Sequence, residues 1–167
     1  MPLTVSPSSL VDHSTPCYYY DIALLDATLK EVRKHGLDKG YHVHFALKAN
    51  HEPYLLKKIR QAGLGADCVS GGEVQQALDN DFKPDQIAFA GVGKSDQEIN
   101  LGLESSIFCF NVESLQELSV INEIAKKKQT KAPVALRLNP NIPVKTHKYI
   151  ATGLNENKFG INDEELI

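Results

Sequence analysis

Apolar positions along the chain alternate between two periods. After Asp21, a plausible helix N-cap, Ile22, Leu25, Leu29 and Val32 fall at helical spacing, and the stripe ends at Gly36. Residues 42–47 then read as a strand. Pro53, suited to a first helical turn, opens a stretch carrying Leu55, Leu56 and Ile59 that closes at Gly63. The same alternation predicts strands over 65–69, 87–90, 107–110 and 134–138. Between them it predicts helices through 73–78, from Ser95 to Leu103, and over 112–125. Residues 162–165, Asn-Asp-Glu-Glu, look like the opening of another helix. The first 16 residues are rich in Ser, Pro and Thr and read as an extended lead-in, followed by a short β-prone run from Cys17 to Tyr20.

Strands alternating with helices over short connections imply parallel βα units. Two α/β architectures satisfy the pattern: a doubly wound open sheet and a (β/α)8 barrel of the TIM type. A barrel needs eight strands and about 250 residues. Only five barrel-type strands are visible in these 167 residues, so the barrel reading makes the chain a partial barrel, truncated before closure.

Composition narrows the function classes. The chain is 42% hydrophobic and 23% charged with a net charge of −3, which is ordinary for a globular domain. No basic patch interleaved with aromatics points to nucleic acid, and the run Lys126-Lys127-Lys128 suits a solvent-facing helix end. No run approaches the roughly 18 apolar residues of a membrane span, and residues 1–10 lack the features of a signal peptide. Cys17, Cys68 and Cys109 are widely spaced in apolar segments. They read as small core residues rather than disulfide or zinc ligands, in keeping with a reducing, cytoplasmic location.

In either architecture chemistry gathers at the carboxyl ends of the parallel strands. Lys48 closes an apolar strand there. Partial desolvation of its ammonium would favour the neutral amine that attacks carbonyls, whereas a snorkelling lysine is the plainer alternative. Asp67 and Glu73 place carboxylates at the next strand mouth. Arg137, in a strand otherwise of Val, Ala and Leu, needs an acidic or phosphate partner if buried. The segment Gly91-Val92-Gly93-Lys94-Ser95 resembles the tail of a phosphate-binding P-loop. The glycine that the motif requires falls at Ala88, so a turn with Ser95 as N-cap is favoured over a nucleotide site. Gly71-Gly72 reads as a tight turn, or as helix amides offered to an anion. His42 and His44 share one strand face without further ligands at metal-binding spacing. His147 lies in a loop.

These motifs, in order and at their spacing, resemble one family. The segment Phe45-Ala46-Leu47-Lys48-Ala49-Asn50 is similar to the pyridoxal-lysine segment of the decarboxylases that act on ornithine, arginine and diaminopimelate. The blocks from Gly63 to Glu73, from Gly91 to Ser95, Leu136 to Pro140, Thr146 to Gly153 and Lys158 to Ile161 complete the set, and the last three favour the diaminopimelate branch. The resemblance implies an alanine-racemase-like barrel over residues 22–167, with residues 1–21 joining a β-sandwich domain, and a homodimer in the full-length form. It implies pyridoxal 5'-phosphate held by Lys48 as a Schiff base, with Asp67 and Arg137 near the cofactor. Glu73 would stand behind them, and His147 and Lys158 would lie at or near the site or the dimer interface. The implied reaction turns meso-diaminopimelate into L-lysine and CO2. An ornithine- or arginine-type decarboxylase, a racemase and a non-catalytic carrier on the same barrel are the alternatives. Later family elements, among them the acid that pairs with the pyridine nitrogen, have no counterpart here, so the 167 residues alone are expected to be inactive.

Overall fold

All five predicted barrel strands form, and each pairs in parallel with the next. The computed structural model describes residues 13–139 and 159–162. Strands β1 (His44–Ala46), β2 (Gly65–Cys68), β3 (Ile87–Phe89), β4 (Cys109–Val112) and β5 (Val134–Leu136) lie in one sheet in sequence order. Helix α1 (Ile22–His35) precedes the sheet. Helices α2 (Pro53–Gln61), α3 (Gly71–Asp79), α4 (Asp96–Ser105) and α5 (Leu115–Lys127) follow β1 to β4 in turn. Among the described residues the sheet is open, with β1 and β5 at its edges. The sequential strand order is that of a partial (β/α)8 barrel, the architecture that the family resemblance implied; the alternation alone had left a doubly wound sheet equally open.

Period-two alternation divides the sheet into two faces. Ala66, Cys68, Ile87, Phe89, Phe110 and Val112 point toward the helices and pack with Leu56, Ile59, Val74, Ala77, Ile99 and Ile121 in one buried cluster. Full burial of each large side chain contributes about 1.5–3 kcal/mol. The opposite face is built of small side chains. Ala46 pairs with Asp67, Asp67 with Ala88 and Ala88 with Cys109, so these four form one row across the sheet. Asn111 and Ala135 pair one layer nearer the carboxyl end. A face this shallow leaves room above it.

Each helix starts on a side-chain cap, which is worth about 1 kcal/mol. Asp21 accepts from the Leu24 N–H, Glu52 from Leu55, Ser70 from Glu73, Ser95 from Glu98 and Ser114 from Glu117. Two of these caps move predicted boundaries, and strand pairing moves a third. Helix α3 begins at Gly71. Val112 is the last residue of β4, not the first of a helix. Asn162 lies in a strand rather than a helix opening, while residues 163–165 fall outside the described residues. The strand predicted over 134–138 breaks at Arg137. Its N–H still donates to Val112 O of β4 at 2.8 Å, but its carbonyl accepts from Ile161 N at 2.8 Å. The chain there passes from the main sheet into a second parallel pair, β6 (Leu138–Asn139) and β7 (Ile161–Asn162). Cys17 departs from the core reading altogether: it is exposed, whereas Cys68 and Cys109 are buried.

Candidate functional site

Lys48 sits not at the end of a strand but within a one-turn 3-10 helix, Leu47–Ala49, that follows β1. Its neighbours fix the backbone. Leu47 is wholly buried, and its carbonyl accepts from Asn50 N at 3.1 Å. The Asn50 amide donates to the Tyr20 hydroxyl at 3.0 Å, and its carbonyl oxygen accepts from Glu52 N at 2.9 Å. Gln76 of α3 donates to the His51 carbonyl at 3.4 Å. The turn carries the Lys48 side chain outward, so it is exposed and the expected desolvation is not provided by the described residues. Its amine makes no hydrogen bond or ion pair among them. It lines a cavity of about 420 Å³ with Tyr18, Tyr20, Asn50, His51 and Gln76.

A second cavity, about 330 Å³, opens over the small-residue face at the same end of the sheet. Asp67, Ala90, Asn111, Glu113 and Arg137 line it. The structure thus brings Asp67 and Arg137 to one cavity and places Lys48 in another, with no lining residue in common. Arg137 is half exposed rather than buried, yet it has an acidic partner: its Nη1 donates to Glu113 Oε2 at 2.8 Å. The other carboxylate oxygen, Oε1, accepts from Gly91 N at 3.0 Å. The guanidinium also lies 5.7 Å from the centroid of the Phe159 ring. Sequence reasoning missed Glu113 because the segment 112–125 read as one helix. Ser114 was the available signal, since a serine three residues before Glu117 marks an N-cap and leaves Glu113 in the loop after a strand.

The remaining candidates serve the loops. Glu73 Oε2 accepts from Val69 N at 2.8 Å, while its own N–H donates to Ser70 Oγ, so it staples the β2–α3 turn from behind. The Gly71 amide donates to Glu98 Oε1 at 2.6 Å; the anion at that helix start is therefore the protein's own carboxylate. Backbone hydrogen bonds from Ser95 and Gly71 hold the Glu98 carboxyl below the usual carboxylate range. Lys94 donates to Gly91 O at 2.8 Å, Asn111 O at 2.9 Å and Glu117 Oε1 at 2.6 Å, with its side chain 1% exposed. Ser95 forms a capping box with Glu98. The segment from Gly91 to Ser95 is thus a turn whose lysine is consumed internally. His42 and His44 rest against Phe108 with ring centroids 5.7 and 5.6 Å away, and no group of three metal-ligating side chains assembles among the described residues. His147 and Lys158 lie outside the described residues.

A parallel sheet with helices on one face, a shallow opposite face and an uncommitted amine at its carboxyl end defines part of a (β/α)8 barrel of the alanine-racemase-like kind. The chain belongs to the pyridoxal-dependent decarboxylases, matching the family's pyridoxal binding domain over residues 25–166. It is 53% identical over 156 residues to diaminopimelate decarboxylase of Bacteroides thetaiotaomicron, covering 91% of this chain and 40% of that one. Against the Aquifex aeolicus diaminopimelate decarboxylase the identity is 44%, covering 90% and 36%. The crystal structure of Helicobacter pylori diaminopimelate decarboxylase complexed with L-lysine superposes with a TM-score of 0.82 at 43% identity, over 95% of this chain and 40% of that one. An arginine decarboxylase from Paramecium bursaria Chlorella virus shares the fold at a TM-score of 0.67 with 19% identity. The chain spans about two fifths of the length of the relatives it matches. No helix among the described residues is long and apolar enough to cross a membrane.

Proposed function

We propose that this chain supplies the cofactor-anchoring half of a decarboxylase site for meso-diaminopimelate, yielding L-lysine and CO2, with Lys48 as the covalent anchor of pyridoxal phosphate. The observation that carries the reading is the Lys48 amine, which has no partner among the described residues, in a cavity lined by Tyr18, Tyr20, Asn50, His51 and Gln76. The residues fit the group. A free primary amine on a braced turn can react with an aldehyde, and the cavity of about 330 Å³ lined by Asp67, Ala90, Asn111 and Arg137 leaves space for a planar ring. Pyridoxal phosphate, when bound, supplies the aldehyde that joins amines and the ring that withdraws electrons from the carbon losing CO2.

The chain's own residues do the holding and orienting. Leu47, Asn50 and the Gln76–His51 bond brace the turn that presents Lys48. Arg137 offers positive charge to a carboxylate, and Asp67 offers negative charge to an ammonium group. A diamino dicarboxylic acid carries both. The diaminopimelate substrate is favoured over arginine or ornithine because the similarity to diaminopimelate decarboxylases is about twice that to the arginine and ornithine enzymes, at 43% against 19% and 25% identity. A homodimer and a cytoplasmic location belong to the same proposal, the second supported by three cysteines that are all unpaired. So does the assignment of residues 1–21 to a further, β-sandwich domain.

The test is to incubate the chain with pyridoxal phosphate, reduce with borohydride and map the modified peptide. Label is expected on Lys48 and is expected to vanish in Lys48→Ala. Label confined to another lysine would refute the reading. The chain alone is expected to release no CO2 from meso-diaminopimelate, and measurable release would overturn that part.

A further inference from the structure

We propose that Glu113 is the positioning residue of the Asp67–Arg137 cleft, holding the Arg137 guanidinium in one orientation so that its remaining donors face an anionic group bound there. The inference rests on the functional reading above and deepens it. A carboxylate whose side chain is 3% exposed is costly unless both oxygens are satisfied. Here they are satisfied from two elements: Oε1 by the Gly91 amide and Oε2 by Arg137 Nη1.

Glu113 itself has little freedom. Its N–H donates to Glu117 Oε2 at 2.8 Å, and Glu117 is pinned by Lys94, which also grips the Gly91 carbonyl. Gly91 has a positive φ of 108°, and a Cβ there would meet Val69 O at 2.9 Å, so the corner that aims its amide at Glu113 suits glycine alone. Arg137 is the opposite case. It is long, its side chain is 51% exposed, and only one nitrogen is committed to a hydrogen bond among the described residues. A fixed carboxylate acting on an exposed guanidinium orients it, and the uncommitted N–H groups are suited to bidentate capture of a carboxylate or phosphate.

The experiment compares the chain with Glu113→Gln and Glu113→Asp. The rate at which phenylglyoxal modifies Arg137 is read by peptide mass mapping, and nitrogen-15 NMR reads the rotation of its guanidinium. In E113Q the Arg137 rate is expected to rise about tenfold, the factor given by losing one charge-assisted hydrogen bond, and its separate terminal-nitrogen signals to merge. Arg33 and Arg60, paired with Asp38 and Asp81, serve as references that stay unchanged. Slow exchange of the Gly91 amide is expected to persist, because the glutamine carbonyl can still accept. E113D, which keeps the charge but withdraws it, should show a smaller rise and decides the matter if E113Q does not fold. An unchanged Arg137 rate, or an equal rise at all three arginines, overturns the proposal. Failure of Lys48 to take pyridoxal label, with the Arg137 effect intact, would instead reject the functional reading alone.

Discussion

Lys94 Nζ stands 2.6 Å from Glu117 Oε1, and both side chains are nearly closed to solvent. The lysine closes the turn after β3 onto the first turn of α5, and the Phe89 ring lies 5.2 Å away on its apolar side. Removing one partner of such a pair strands a buried charge, at a cost of about 3–5 kcal/mol. Lys94→Met is therefore expected to lower the denaturant midpoint sharply or to prevent folding. The unaltered chain is expected to bind no ATP by calorimetry. A Lys94→Met chain of normal stability would contradict the structural role.

Glu98 links the starts of two helices, accepting from Ser95 of its own cap and from Gly71 of the preceding one. These hydrogen bonds favour the charged form and depress its pKa on folding. A depressed carboxylate stabilises the fold above its unfolded value, and that contribution fades as pH falls through the folded value. Wild type is thus expected to be more stable than Glu98→Gln at neutral pH, with the gap narrowing once pH drops below the usual carboxylate range. Chemical denaturation at a series of pH values measures this, and a gap that widens on acidification would reject it.

The strands and helices were legible because apolar periodicity is set by burial, which acts on every element alike; their order in the sheet was not, since a doubly wound sheet and a barrel share that periodicity. Lys48 stood out against that periodicity: a cation at the end of Phe45-Ala46-Leu47 breaks the pattern. What escaped notice depended on geometry between elements. The exposure of Lys48 follows from a single 3-10 turn that no hydrophobic period announces. Glu113 was hidden because Val112 continues both a strand pattern and a helix pattern, and only the Ser114 cap decides between them. The break at Arg137 reflects a switch of pairing partner from Val112 to Ile161, a contact across 24 residues of sequence that local pattern does not encode.

Three cysteines offer a sharp accessibility test. Burial, reinforced by the nearby Glu73 and Asp67 charges, pushes the Cys68 thiol up to about 12. Cys109 is raised as well, by burial and then by Asp67. Both therefore hold little thiolate at pH 8, whereas Cys17 is exposed. A disulfide reagent is expected to modify Cys17 rapidly in the native chain and the other two only after denaturation. Equal rates at Cys17 and Cys68 would show the core to be open.

Leu47 and Lys48 are adjacent yet opposite in burial. Leu47 is fully buried under the turn, and Leu47→Ala is expected to cost about 2–5 kcal/mol through lost packing and the cavity left behind. Lys48 is exposed with no partner among the described residues, so Lys48→Ala should change stability by no more than about 0.5 kcal/mol while abolishing pyridoxal labelling. Denaturation curves and borohydride trapping on the two variants separate these effects. A Lys48→Ala chain as unstable as Leu47→Ala would mean that the lysine is part of the scaffold. The loss of label would then report a damaged fold rather than a missing anchor.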